Sequence, residues 1–303
     1  MSVKILEVNK DNDERRLDNY LISIYKNVPK SKIYNIIRKG EVRVNSGRVK
    51  PYLKIKTGDL IRIPPYLNIE NSKPKKIDQK LKDDIKKNIL YESSNFLVIN
   101  KQHGIAVHSG SKNNFGIIDI IRSIYGDSLD LCHRIDKETS GCLVLAKNKK
   151  ANKSFTNQLV NKNIKKKYLA ILKGHLKKKK IVDTLIEKNL SGAQKSFINN
   201  DKGKDSLSIF KPLKKLNSSC LVEIEIFTGR THQIRVQSSY IGHPVLNDEK
   251  YGDREFNKNI FNKKFQRMAL HSSEIEFLDS DNKNIRIKAE PDDSFLDMVA
   301  FLK

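Results

Sequence analysis

Nine consecutive residues, His133-Arg134-Ile135-Asp136-Lys137-Glu138-Thr139-Ser140-Gly141, carry the strongest chemical signal in the chain. A carboxylate follows an Arg-Ile step, a Thr-Ser-Gly turn comes next, and an apolar run from Cys142 to Ala146 closes the segment. An acid held at the end of a strand by a tight turn is a side chain aimed at something, and Asp136 is the candidate nucleophile. Taken alone, it would equally suit a turn aspartate that bonds its own backbone. Three further segments change that balance. Asn100-Lys101-Gln102-His103-Gly104-Ile105-Ala106-Val107-His108 is a Gly-bearing loop after a strand, and Lys166-Lys167-Tyr168-Leu169-Ala170 puts a phenol on a strand among basic residues. Thr228-Gly229-Arg230-Thr231-His232-Gln233-Ile234-Arg235 is a Gly turn that opens a helix carrying two arginines.

Several chemistries lose support. The chain has no G-x-G-x-x-G, no G-x-x-x-x-G-K-[ST], no H-E-x-x-H and no G-x-S-x-G, which argues against nucleotide cofactors, a metalloprotease site and a hydrolase elbow. His103, His108, His133 and His232 match no compact ligand set, so no metal is expected and they read as loop-shaping or RNA-contacting groups. Cys132, Cys142 and Cys220 form no C-x-x-C pair and no even framework, which fits small core residues in a reducing compartment.

The elements that must position these groups follow from periodicity. Leu17, Tyr20, Leu21 and Ile24 mark a helix within 15–27 that Pro29 breaks. Ser31 is expected to cap a second helix with Ile33, Ile36 and Ile37 on one face and Gly40 ending it. Short strands around Val42/Val44, Val49, Leu53/Ile55 and Ile61/Ile63 complete a unit of residues 13–65. Residues 66–86, with Asn, Ser, Pro74 and many Lys, read as a linker. From 87 to 303, strands are expected at 89–91, 96–99, 142–146, 168–172, 207–210, 221–227, 275–277 and 285–287. Helices are expected around Ile117–Ile124, 149–162 and 231–240. Strands with helices between them, lacking a βαβ rhythm, imply an α+β fold on a mixed, mostly antiparallel sheet.

Charge names the partner class. Lys and Arg total 59 against 35 Asp and Glu, a formal +24, and such an excess suits a polyanion whose counterions are released on binding. Residues 13–63 alone hold 13 Lys and Arg against 5 Asp and Glu, a net +8. Arg15, Arg16, Lys30, Lys32, Arg38, Lys39, Arg43 and Arg48 lie on or beside the second helix and the turn after it, as a grip on an RNA backbone would. The N-terminus turns polar at once and no run approaches a membrane span, so a soluble, cytoplasmic protein is expected.

Two resemblances sharpen this reading. Arg16-Leu17-Asp18, Lys32-Ile33, Ile36 to Gly40 and Val42-Arg43-Val44-Asn45 resemble the S4 RNA-binding domain. The four chemistry-bearing segments, in their order and separations, resemble the RluA-type pseudouridine synthase family. With the S4 unit, with Ala106-Val107-His108-Ser109-Gly110, and with Gly242-His243-Pro244, Asp248 and Tyr251-Gly252-Asp253, the chain is most similar to the large ribosomal subunit pseudouridine synthase C subgroup.

The resemblance implies conversion of uridine to pseudouridine without a cofactor. Asp136 is then the nucleophile, Arg235 the arginine that pairs with it and Tyr168 the tyrosine that stacks on the uracil and helps remove the C5 proton. Arg134 fills the gap left by the flipped base, and Arg230 is left to hold phosphate or loop. The implied substrate is 23S rRNA or pre-ribosomal large-subunit RNA, bound by a monomer. The alternatives are the same chemistry on tRNA or other rRNA uridines, or a non-catalytic ribosome-assembly factor. Two positions depart from the family pattern: Gln102 stands where proline follows Asn-Lys, and Gln237 where histidine follows Val236.

Overall fold

Leu17, Tyr20 and Leu21 fall on one buried stripe of the helix Leu17–Ile24, and Ile33, Ile36 and Ile37 do the same for Lys30–Arg38, because residues three and four apart share a helix face. Both helices pack on a shared core with Val42, Val44, Ile55, Ile61 and Ile63. The computed structural model describes residues 3–25, 28–67, 77–109, 115–188, 195–199, 201–261 and 264–303. These form two compact units, residues 1–76 and 77–303.

In the first unit the first helix is shorter than the periodicity suggested, and the second begins earlier. Arg15–Arg16 is a short strand paired with Lys54–Ile55. Pro29, not Ser31, occupies the N-cap of the second helix, and no side chain caps it. Proline at a helix start presets the backbone angle and gives up an N–H that would have no partner. Gly40 ends the helix with φ +74° as expected. A strand that the pattern did not suggest, Lys4–Glu7, pairs antiparallel with Leu60–Ile63.

The stretch expected as linker differs too. Residues 68–76, Pro74 among them, lie outside the described residues, but Gln79–Lys87 is a helix that begins the second unit. Asp78 caps it by accepting from the Lys80 N–H, and Ile85 is its buried residue.

The second unit is built on one eleven-stranded sheet. Its spine runs Ser196–Asn199, Lys180–Lys188, Lys204–Leu216, Ser219–Ile226, Lys165–Lys173, Leu270–Leu278, Ser140–Ala146, Phe96–Lys101 and Ile89–Glu92. Asp130–Leu131 and Asn284–Lys288 pair to its sides. Within it Ser140–Ala146 and Leu270–Leu278 run parallel and the other pairs antiparallel, which is the mixed α+β architecture read from the sequence.

Ser140–Ala146 is buried at every position, as a central strand covered on both faces must be. Core side chains pack on the two faces at this end: Val98, Val144 and Phe155 in one cluster, and Leu97, Leu143, Leu145 and Ile121 in the other. One residue ties three strands together. Ser272 stands opposite Tyr168 on one side and opposite Gly141 on the other. The sheet thereby holds the phenol two strands away from the turn that carries Asp136.

Candidate active site

Asp136 opens the turn of residues 136–139, where the Thr139 N–H donates to its carbonyl at 3.2 Å. It stands four residues before the strand Ser140–Ala146, not at the end of one as the sequence suggested. The turn is held from behind. Lys101, buried to 1% exposure, donates from Nζ to the carbonyls of Gln102, Ile105 and Lys137 at 2.8, 2.9 and 3.0 Å. Burial pulls its pKa down to about 7 against the opposing charges of Glu138 and Asp136. Just after the turn, Ser140 Oγ accepts from Arg267 Nη2 at 2.7 Å and bonds His271 Nδ1 at 2.8 Å.

Gly141 explains the Thr-Ser-Gly ending of the motif. Its φ is +107°, and a Cβ there would lie 2.1 Å from the Ser272 carbonyl oxygen. Only glycine allows strand Leu270–Leu278 to come this close.

Arg235 lies on the buried helix Gln233–Tyr240. Its Nη1 donates to Asp136 Oδ2 at 2.8 Å, while Nε and Nη2 form a fork on Asp248 at 2.6 and 2.8 Å. Burial works against its charge, but the hydrogen bonds and charge of Asp248, then of Asp136, outweigh it and raise its pKa. Asp248 is fully buried. Burial would raise its pKa, yet the guanidinium and the backbone N–H groups of Lys250 and Tyr251 hold it below the usual carboxylate range. Gly252 makes that loop possible, since a Cβ would meet the Asp248 carbonyl oxygen at 2.3 Å. Sequence reading quoted Asp248 and Lys101 within motifs but gave neither a task.

Around the ion pair a cleft of about 70 Å³ is lined by Arg134, Asp136, Tyr168, Arg230, His232 and Arg235, among others. Tyr168 is buried, and burial, eased by its hydrogen bond with Ser272, raises the phenol's pKa so that it stays protonated at neutral pH. His232 takes a left-handed backbone (φ +57°) at the helix start and bonds the Tyr251 hydroxyl through Nδ1 at 2.9 Å. Its Nε2 is 3.9 Å from Asp136 Oδ2. Burial lowers its pKa more than Asp136 raises it. Arg134 is exposed and, among the described residues, bonds no partner. Arg230 donates from Nε to the Asp205 carbonyl at 3.0 Å.

The structure therefore brings Asp136, Tyr168, Arg235, Arg134 and Arg230 to one cleft. His133 stays out of it: its ring stacks on Phe155, its Nε2 accepts from the Val144 N–H at 3.1 Å, and burial pushes its pKa down to about 3. Its ring thus braces the loop against the strand Ser140–Ala146. Gln237, the departure from the family pattern, is fully buried. It accepts from Ser208 Oγ and donates to Val182 O, Thr184 Oγ1 and Ser206 O, so it bolts the arginine helix to two strands. Gln102 accepts from Lys101 through its own carbonyl, a task that asks nothing of its side chain. Gly110, at the end of the Ala106 motif, lies outside the described residues.

The basic residues of the first unit divide. Arg16 forms a fork on the buried Asp18 at 3.1 and 2.6 Å, and Tyr34 also donates to that carboxylate, so Arg16's charge is matched internally. Arg15 donates to the Asn19 carbonyl inside the first helix, and Arg43 donates to the carbonyls of Gly40 and Ser46. Lys32, Arg38 and Lys39 are exposed, with Lys32 Nζ 5.8 Å from the Tyr66 ring centre.

The chain has relatives among known proteins. Residues 95–240 match the RNA pseudouridylate synthase family and residues 15–61 the S4 domain. The chain is 41% identical to the ribosomal large subunit pseudouridine synthase C of Buchnera aphidicola subsp. Acyrthosiphon pisum, over 97% of this chain and 96% of that one. It is 38% identical to the protein of the same name from Escherichia coli K12, over 91% and 89%. Among solved structures, Human RNA Pseudouridylate Synthase Domain Containing 1 matches with a TM-score of 0.58 at 27% identity, over 67% of this chain and 83% of that one.

Proposed function

The chain belongs to the RNA pseudouridylate synthase family, and from that premise we propose that it isomerises chosen uridines of 23S rRNA with Asp136 as nucleophile. Membership makes it an isomerase: the bond from ribose C1′ to uracil N1 breaks, a bond from C1′ to C5 forms, the C5 proton leaves and N1 gains one. Nothing is oxidised and no group is lost, so side chains suffice.

The observation that carries the reading is the shared guanidinium. A nucleophilic carboxylate in a cleft closed by substrate needs a cation beside it, because burial alone would favour its neutral form. Arg235 supplies that cation to Asp136 while Asp248 fixes the planar head in two directions. Tyr168, a neutral ring in the same cleft, suits stacking on a uracil that has left the RNA helix. Arg134, exposed at the margin, has the length and planar charge to occupy the vacated stack.

The S4 unit, through Lys32, Arg38 and Lys39, grips the phosphates of structured RNA and fixes which uridines reach the cleft. The substrate assignment rests on relatives whose names specify the large ribosomal subunit. No helix among the described residues is long and apolar enough to cross a membrane, and the protein acts as a monomer on cytoplasmic RNA.

Tritium release from [5-³H]uridine-labelled 23S rRNA tests this. The intact protein releases tritium and Asp136→Asn does not. Release from total tRNA alone would overturn the substrate. Tight RNA binding with no release from any RNA would point to an assembly factor.

A further inference from the structure

Arg230, which lines the cleft, and Lys166, buried next to the lining residue Gly229, share no anion among the described residues. Lys166 lies two residues before Tyr168 on the strand Lys165–Lys173, and side chains two apart on a strand share a face. It is 6% exposed. Its ammonium makes one long hydrogen bond, 3.3 Å to the Thr228 carbonyl, and among the described residues no carboxylate pairs with it. Three donors and a full charge are thus served by a single neutral acceptor. Arg230 is near enough for its charge to be felt: burial first, then Arg230, pull the pKa of Lys166 down to about 8. A lysine hidden beside an arginine with no acid between them is unfavourable in the free protein.

Gly229 shows where the missing anion enters. It is exposed and lines the cleft with Arg230. Its backbone is not left-handed, and a Cβ there would stand 3.6 Å from Lys166 Nζ, in ordinary contact. Conformation therefore does not require glycine at this position. What glycine omits is a side chain over the ammonium, and such an omission suits close approach of a ligand.

We propose that Lys166 and Arg230, beneath and beside Gly229, form an anion subsite that takes a backbone phosphate of the RNA strand carrying the target uridine. The inference rests on the RNA-modifying reading above. A phosphodiester offers two charged oxygens, one for the ammonium and one for the guanidinium. Filling the subsite relieves the repulsion between the two cations. Held there, the strand is pinned beside Tyr168, so the phosphate fixes the depth to which the flipped base enters.

The test uses the full chain and a 23S rRNA transcript. In an Asp136→Asn background, Lys166→Gln should weaken binding on the order of tenfold, the scale of a charged hydrogen bond. It should also make log Kd against log [KCl] shallower by roughly 0.7 to 0.9, the share of one phosphate contact. Lys166→Arg should restore both. Gly229→Ala, which adds only a methyl in ordinary contact, should weaken binding without lowering Tm. With Asp136 intact, the loss in Lys166→Gln should fall mainly on KM. An unchanged salt slope in Lys166→Gln, or full affinity in Gly229→Ala, overturns the subsite. If the wild type released no tritium from any RNA while the Lys166→Gln slope still fell, the subsite would stand and the catalytic reading would be the one lost.

Discussion

At the scale of residues, one guanidinium serves two aspartates unequally. Asp248 takes two of its hydrogen bonds and is fully buried, whereas Asp136 takes one and keeps a fifth of its side chain exposed. The two acids therefore predict opposite phenotypes. Asp136→Asn should leave stability within about 1 kcal/mol, because Asp248 still satisfies Arg235, while turnover falls at least on the order of a thousandfold. Asp248→Asn should cost about 3 kcal/mol in urea unfolding, since it breaks a buried ion pair from one side. The pH dependence follows from the same pair. Asp248 is held below its unfolded value, about 3.9, so its contribution is complete above that value and is lost as pH falls through the lower, folded one. Asp248→Asn should accordingly flatten the acid limb of a stability profile. The aspartate, tyrosine and arginines were legible in the sequence because each sits in a short local pattern. Asp248 had no assigned task because its partner lies 13 residues away, and the glycine that shapes its loop has meaning only once the loop is closed.

At the scale of elements, the site is a turn braced between strands. Gly141→Ala would place a methyl against the Ser272 carbonyl oxygen and force a non-glycine residue to φ +107°, which should cost about 3 kcal/mol or more. Lys101→Met would strip a shared buried donor from three carbonyls, including that of Lys137 behind Asp136. It should cost about 2 kcal/mol and depress kcat more than it raises KM, as steady-state kinetics beside urea titrations would show. Elements with clean periodicity were visible: Ser140–Ala146 is apolar nearly throughout, and Ile117–Tyr125 repeats isoleucine at helical spacing. Lys180–Lys188 escaped because its buried positions, Val182 and Ile186, are four apart in a lysine-rich run. Asp293–Phe301 escaped although Asp292 caps it through the Phe295 N–H. In both cases tertiary packing, not local pattern, decides the structure.

At the scale of the molecule, the chain joins an S4 domain to a cleft built on an ion pair. The first unit has its own apolar core around Leu17, Ile33 and Ile61, so a 77–303 fragment should fold without it. That fragment should bind 23S rRNA more weakly and with a shallower salt dependence, because the phosphate contacts proposed for Lys32, Arg38 and Lys39 would be lost. Filter binding across a KCl series reads both effects. The central claim is that uridine is rearranged, not cleaved or merely bound, and nucleoside analysis tests it most directly. A 23S rRNA transcript treated with the protein should, after digestion, show pseudouridine gained in the same amount as uridine lost, and Asp136→Asn should show none. Pseudouridine formed equally well by Asp136→Asn, or none formed by the intact protein on any RNA, would contradict the account.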